Sequence, residues 1–114
     1  MARILVVEDN ATNLDLMIYL VSAFGHTPIA ARDGEEGLQR AEDSAPDLIF
    51  CDIQLPRLSG YEVARRLKAD SRLRTIPLVA VTAFAMVGDK DKVLGAGFDG
   101  YLGKPIAPGT CWSR

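Results

Sequence analysis

Five short apolar runs, separated by stretches of helical spacing, constrain this chain more than any other feature. They are Ile4–Val7, Thr27–Ala31, Leu48–Cys51, Leu78–Val81 and a weaker Tyr101-Leu102. The first, third and fourth show no alternation with polar residues, so each predicts a strand covered on both faces, as in a parallel sheet flanked by helices. The strand–helix alternation and short connections predict an α/β fold with a mostly parallel sheet.

The intervening segments carry their own start and stop signals. Leu14, Met17, Ile18, Val21 and Phe24 fall at helical spacing, with Asn10 or Thr12 as a cap and Gly25 as the stop. A second helix is expected after Asp33, with Glu35 and Glu36 in its first turn, where the helix dipole favours negative charge. Its apolar stripe, Leu38 and Ala41, is thin, and Pro46 ends the connection. A third opens near Ser59-Gly60 and carries Val63, Ala64 and Leu67. A fourth, from Ala85 to Leu94, contains Gly88 and should be the least rigid, since an interior glycine costs about 1 kcal/mol relative to alanine.

Size and composition narrow the class. At 114 residues the chain is one domain, and 48% hydrophobic with 25% charged residues is ordinary for a globular protein. No apolar run approaches the ~20 residues of a membrane span, so no membrane is expected and the cytoplasm is the expected compartment. A net charge of -2 leaves no electrostatic footprint for nucleic acid. Arg65, Arg66, Lys68, Arg72 and Arg74 cluster, but read best as a solvated helix face. Cys51 and Cys111 form no disulfide framework and have no metal-ligand spacing; Cys51 reads as a small buried hydrophobe. His26, beside Gly25 at a turn, is expected at the surface.

Acids stand where chemistry in such a fold takes place. Glu8 and Asp9 follow the first strand and Asp52 follows the third. In open parallel sheets ligands bind beyond the carboxyl ends of the strands, where the strand order reverses. If strands one and three are neighbours there, three carboxylates converge, and like charges so placed repel unless a cation neutralises them. Hard carboxylate oxygens suit Mg²⁺, so the cluster predicts a Mg²⁺ site able to receive a phosphoryl group. Thr82, ending the fourth strand, offers a hydroxyl at the same edge, and Lys104, after the fifth, a positive charge for phosphate or carboxylate.

Together these residues resemble the response-regulator receiver family over residues 2 to about 106. Ile4-Leu5-Val6-Val7-Glu8-Asp9-Asn10 resembles its first strand and acidic pair, and Cys51-Asp52-Ile53-Gln54-Leu55-Pro56 with Ser59-Gly60 its phosphoacceptor strand and loop. Val81-Thr82-Ala83 resembles its hydroxyl position, Ala96-Gly97-Phe98-Asp99-Gly100-Tyr101 its approach to the fifth strand, and Lys104-Pro105 its lysine. The resemblance implies a flavodoxin-like, doubly wound, five-stranded parallel sheet of order 2-1-3-4-5. It implies that Asp52 takes a phosphoryl group from a phosphohistidine of a sensor histidine kinase or histidine phosphotransfer protein. Asp9, Asp52 and the backbone carbonyl of Gln54 would hold Mg²⁺, with Glu8 bonding through its water. Thr82 and Lys104 would bind phosphoryl oxygens, and Tyr101 would be the switch aromatic whose movement alters contacts with a downstream protein. Asp52-Ile53-Gln54-Leu55-Pro56 and Val81-Thr82-Ala83-Phe84-Ala85-Met86 are similar in wording to single-domain regulators of cell division and polarity, and to receivers of hybrid kinases.

One stretch departs from that family. Residues 1–106 read as the receiver domain, and 107–114, Ala107 to Arg114, as an atypical tail without the apolar stripe of a fifth helix. A missing fifth helix would expose an apolar face, over which the chain is expected to form a homodimer or to pack Trp112.

Two other readings share parts of this pattern. A Mg²⁺-dependent phosphohydrolase also uses a strand-end aspartate, but needs an acid two residues further on, where this chain has Gln54. A degenerate receiver serving only as an interaction module would not need every chemical position filled.

Overall fold

The computed structural model of the chain describes residues 2–53, 55, 58–82 and 93–103. Five strands, β1 (Arg3–Val7), β2 (Thr27–Ala31), β3 (Leu48–Asp52), β4 (Leu78–Thr82) and β5 (Gly100–Gly103), alternate with helices α1 (Ala11–Ala23), α2 (Gly34–Ser44) and α3 (Gly60–Ala69). The sheet runs β2-β1-β3-β4-β5 with every neighbouring pair parallel. This is the doubly wound, flavodoxin-like order 2-1-3-4-5.

The missing polar alternation has a direct cause. Successive strand side chains point to opposite faces, and here both faces are covered. Leu5, Val7, Ile49, Cys51, Leu78 and Ala80 pack in one cluster with Ala41 of α2 and Val63, Ala64 and Leu67 of α3. Ile4, Val6, Phe50 and Val81 pack in the other with Leu14, Met17, Leu20 and Val21 of α1.

Local signals place the helix starts. The side chain of Asn10, not Thr12, caps α1 by accepting from Asn13 N–H at 3.0 Å. Asp33 caps α2 by accepting from Glu36 N–H, and Ser59 caps α3 by accepting from Glu62 N–H. The thin stripe of α2 suffices because Gly37 lets the helix lie directly on Val7, whose Cγ2 would be 2.8 Å from a Cβ at that position. At its far end Ala45 adopts the left-handed conformation (φ 45°).

Several expectations are corrected at their edges. β3 runs through Asp52 and β4 through Thr82, so both residues end strands by their own ladder pairing. Phe24 does not join the stripe of α1: the helix stops at Ala23, and Phe24, as its C-cap, is 55% exposed. His26 is half-buried, its Nδ1 accepting the Ala2 N–H at 3.0 Å. Residues 93–95 are helical, while the rest of the expected fourth helix, 85–92, lies outside the described residues. The tail 107–114, the fifth-helix expectation and the homodimer built on it also concern residues outside those described. No described helix is long and apolar enough to cross a membrane.

Candidate phosphoacceptor site

The site follows from strand register. β1 and β3 are neighbours, with Val7 paired to Cys51, so the residues that follow them emerge side by side at the carboxyl edge. Glu8 continues the ladder by one bond, its N–H donating to Ala31 O at 3.0 Å, which turns its side chain into the sheet edge. Its Oε2 accepts the Asn10 N–H at 3.2 Å, so the residue that caps α1 also steadies the first acid.

Carboxylate oxygens of Glu8, Asp9 and Asp52 lie within 4.8 Å of one another. Glu8 is only 1% exposed and Asp52 4%, whereas Asp9 is exposed. Two ionised carboxylates at such a separation repel by roughly 3 kcal/mol at an effective dielectric of about 20. Few bulk waters reach the two buried acids to screen that repulsion, and a hard divalent cation offsets it. The donor set fits Mg²⁺: all oxygen, with one member open to solvent for the waters that this ion retains.

The backbone around Asp52 is held from three directions. Ile53 N–H donates to Val81 O at 3.2 Å, and Gly60 N–H donates to Ile53 O at 2.8 Å. The Cys51 thiol donates to Asp52 O at 3.4 Å. Burial, then the nearby charges of Asp52 and Glu8, push that thiol far above its ordinary range, so Cys51 stays protonated as the small buried hydrophobe expected of it.

The other expected residues are placed only in part. Thr82 ends β4 opposite Gly103, and Asp52 pairs with Val81, so the backbones of Asp52 and Thr82 reach the same edge. The side chain of Thr82, and Gln54 and Lys104 entirely, lie outside the described residues. Tyr101 pairs with Ala80 and is half-buried against the α2–α3 side of the core. Sequence reasoning missed the contact of Gly60 with Asp52; its only local signal was a glycine opening a helix directly after a capping serine.

Comparison with known proteins gives a uniform picture. The family model described as the response regulator receiver domain matches residues 4–113. The polar-differentiation response regulators DivK of Brucella anthropi and Brucella ovis are each 47% identical over 104 residues, covering 91% of this chain and 85% of theirs. Among solved structures, the chemotaxis response regulator CheY4 of Vibrio cholerae superposes with a TM-score of 0.90 at 26% identity, over 95% of this chain and 90% of that one. The receiver domain of a sensor histidine kinase from Pseudomonas aeruginosa, solved with a magnesium ion coordinated in its active site cleft, has a TM-score of 0.86 at 34% identity. That match covers 94% of this chain and 88% of the other.

Proposed function

The chain belongs to the response regulator receiver domain family, and from that premise we propose that it accepts a phosphoryl group on Asp52 from a partner phosphohistidine, in the cytoplasm and with Mg²⁺. The observation that carries this reading is the convergence of Glu8, Asp9 and Asp52 within 4.8 Å at the ends of two adjacent strands. Asp9, Asp52 and the Gln54 carbonyl would hold Mg²⁺, with Glu8 bonding through one of its waters; the ion supplies charge neutralisation for the phosphoryl oxygens.

The protein's own groups have separate tasks. Asp52 is the nucleophile: one carboxylate oxygen forms the bond to phosphorus as the phosphorus–nitrogen bond of the partner histidine breaks. Burial of Asp52 keeps bulk water from competing with it. Thr82 and Lys104 would bind the phosphoryl oxygens. Tyr101 would change position with Thr82 and so alter the surface offered to a downstream protein, an order-and-position switch of a familiar physical kind. The protein is then a signalling phosphoacceptor whose chemistry is confined to its own phosphorylation and dephosphorylation. The magnesium in the Pseudomonas aeruginosa receiver supports the choice of ion.

Incubation with Mg²⁺ and acetyl phosphate, followed by intact mass measurement, tests the reading. One phosphoryl group should be gained, and the gain should vanish in Asp52→Asn and in chelator. Steady turnover of phosphate monoesters would favour a phosphohydrolase instead, and no gain at all would leave an interaction module.

A further inference from the structure

Helix α3 begins hard against the peptide that follows Asp52. A Cβ built on Gly60 would fall 2.6 Å from Ile53 Cα and 3.0 Å from Asp52 C, and would meet the Asp52 carbonyl oxygen more closely still. All three neighbours are backbone atoms, with no rotamer into which to retreat. The backbone angles of Gly60 do not themselves call for glycine, because it is not among the described residues of positive φ. Close approach is therefore the reason for glycine here, and it operates at the phosphoacceptor.

Resting on the function proposed above, we infer that Gly60 is a positioning residue for the acidic site. Its absent side chain lets the first turn of α3 sit on the Asp52–Ile53 peptide, and its N–H holds Ile53 O at 2.8 Å. On the opposite side β4 holds the same peptide through Ile53 N–H and Val81 O. The Asp52 carboxylate hangs two bonds from a Cα gripped in this way, so the grip sets its distance from Glu8 and Asp9. Mg²⁺ demands near-octahedral geometry at about 2.0–2.1 Å, so it is sensitive to small displacements of a ligand.

Two effects of Gly60→Ala oppose each other. Helix propensity favours alanine, whereas the contact forces the helix or the peptide to move. A displacement on the order of 1 Å near reacting groups lowers rates by roughly 100-fold.

The experiment measures phosphoryl uptake from acetyl phosphate against Mg²⁺ concentration for the full chain, for Gly60→Ala and for Gly97→Ala. Gly97 has φ 114° and meets Lys68 Cγ at 2.9 Å from its built Cβ, so its substitution destabilises the fold remote from the site. Gly60→Ala should raise the Mg²⁺ concentration for half-maximal uptake at least tenfold, on the scale of that displacement, while Gly97→Ala lowers the melting temperature and leaves it unchanged. Half-saturation within about twofold of the parent in folded Gly60→Ala overturns the inference. If that variant does not fold, the parent decides: the Gly60 amide resonance should move with Mg²⁺ at the same midpoint as uptake, and an amide indifferent to Mg²⁺ overturns it equally. Failure of the parent itself to take up phosphate would instead remove the underlying functional reading.

Discussion

Lys68 Nζ donates to Asp99 Oδ2 at 3.1 Å, joining the last turn of α3 to the residue that precedes β5. The same ammonium donates to Arg74 O at 3.1 Å and Ile76 O at 3.4 Å, so all three of its protons are engaged. Asp99 in turn accepts the Leu78 N–H at 2.8 Å and donates its own N–H to Leu78 O at 2.7 Å. One pair of side chains thus closes the α3–β4 loop and aligns the first residues of β4 and β5.

Substitution at Asp99 should separate charge from hydrogen bonding. Asp99→Ala leaves the Leu78 N–H without its carboxylate and should cost about 1–3 kcal/mol. Asp99→Asn retains an acceptor and should lose less than about 1 kcal/mol, because the pair is partly exposed and screened. Urea unfolding of both variants checks this; equal losses would show that the ion pair, not the Leu78 bond, dominates.

Ala45 holds a left-handed C-cap that suits glycine better. The conformation costs an L residue about 1–2 kcal/mol, and glycine's extra unfolded-state entropy returns part of that. Ala45→Gly should therefore stabilise the protein by roughly 0.5 kcal/mol. A lower melting temperature for the variant would contradict the assignment of strain.

The buried Cys51 thiol gives a pH dependence of definite sign. Its folded-state pKa is raised, by burial first and by Asp52 and Glu8 next, so the native state holds its proton more tightly than the unfolded chain. The stabilising contribution is complete below the unfolded thiol value of about 8.5 and declines by about 1.4 kcal/mol per pH unit above it, up to the folded value. Stability of the parent minus that of Cys51→Ala should follow this decline between pH 8 and 10 (roughly the window set by the unfolded thiol). In a Cys111→Ser background the native protein should also resist thiol alkylation, and modification before unfolding would refute the burial argument.

Ion binding should appear in thermal stability. A ligand at about 100 times its dissociation constant adds about 2.7 kcal/mol to the native state. Excess Mg²⁺ should raise the melting temperature of the parent over that in chelator, and Asp9→Ala should abolish most of the rise. An equal rise in that variant would place the ion elsewhere.

Much of this was legible in the chain because the responsible interactions are local or periodic. Caps at Asn10, Asp33 and Ser59 act over three residues, and unbroken apolar runs at Ile4–Val7 and Leu48–Cys51 announce strands covered on both faces. The acids Glu8, Asp9 and Asp52 could be singled out because strand ends in such sheets share one edge. Phe24 was misplaced because its burial depends on where α1 stops.

Among the described residues, sequence alone therefore determined the element types, the parallel sheet and the identity of the three clustered acids. Only tertiary structure decided that Gly60 lies against the Asp52 peptide, that Asn10 N–H supports Glu8, and that Lys68 reaches Asp99 across 31 residues. The physical reason is range. Caps and apolar periodicity are carried by residues a turn or a pleat apart, whereas these contacts exist only after helices and strands have packed, at distances that no local pattern encodes.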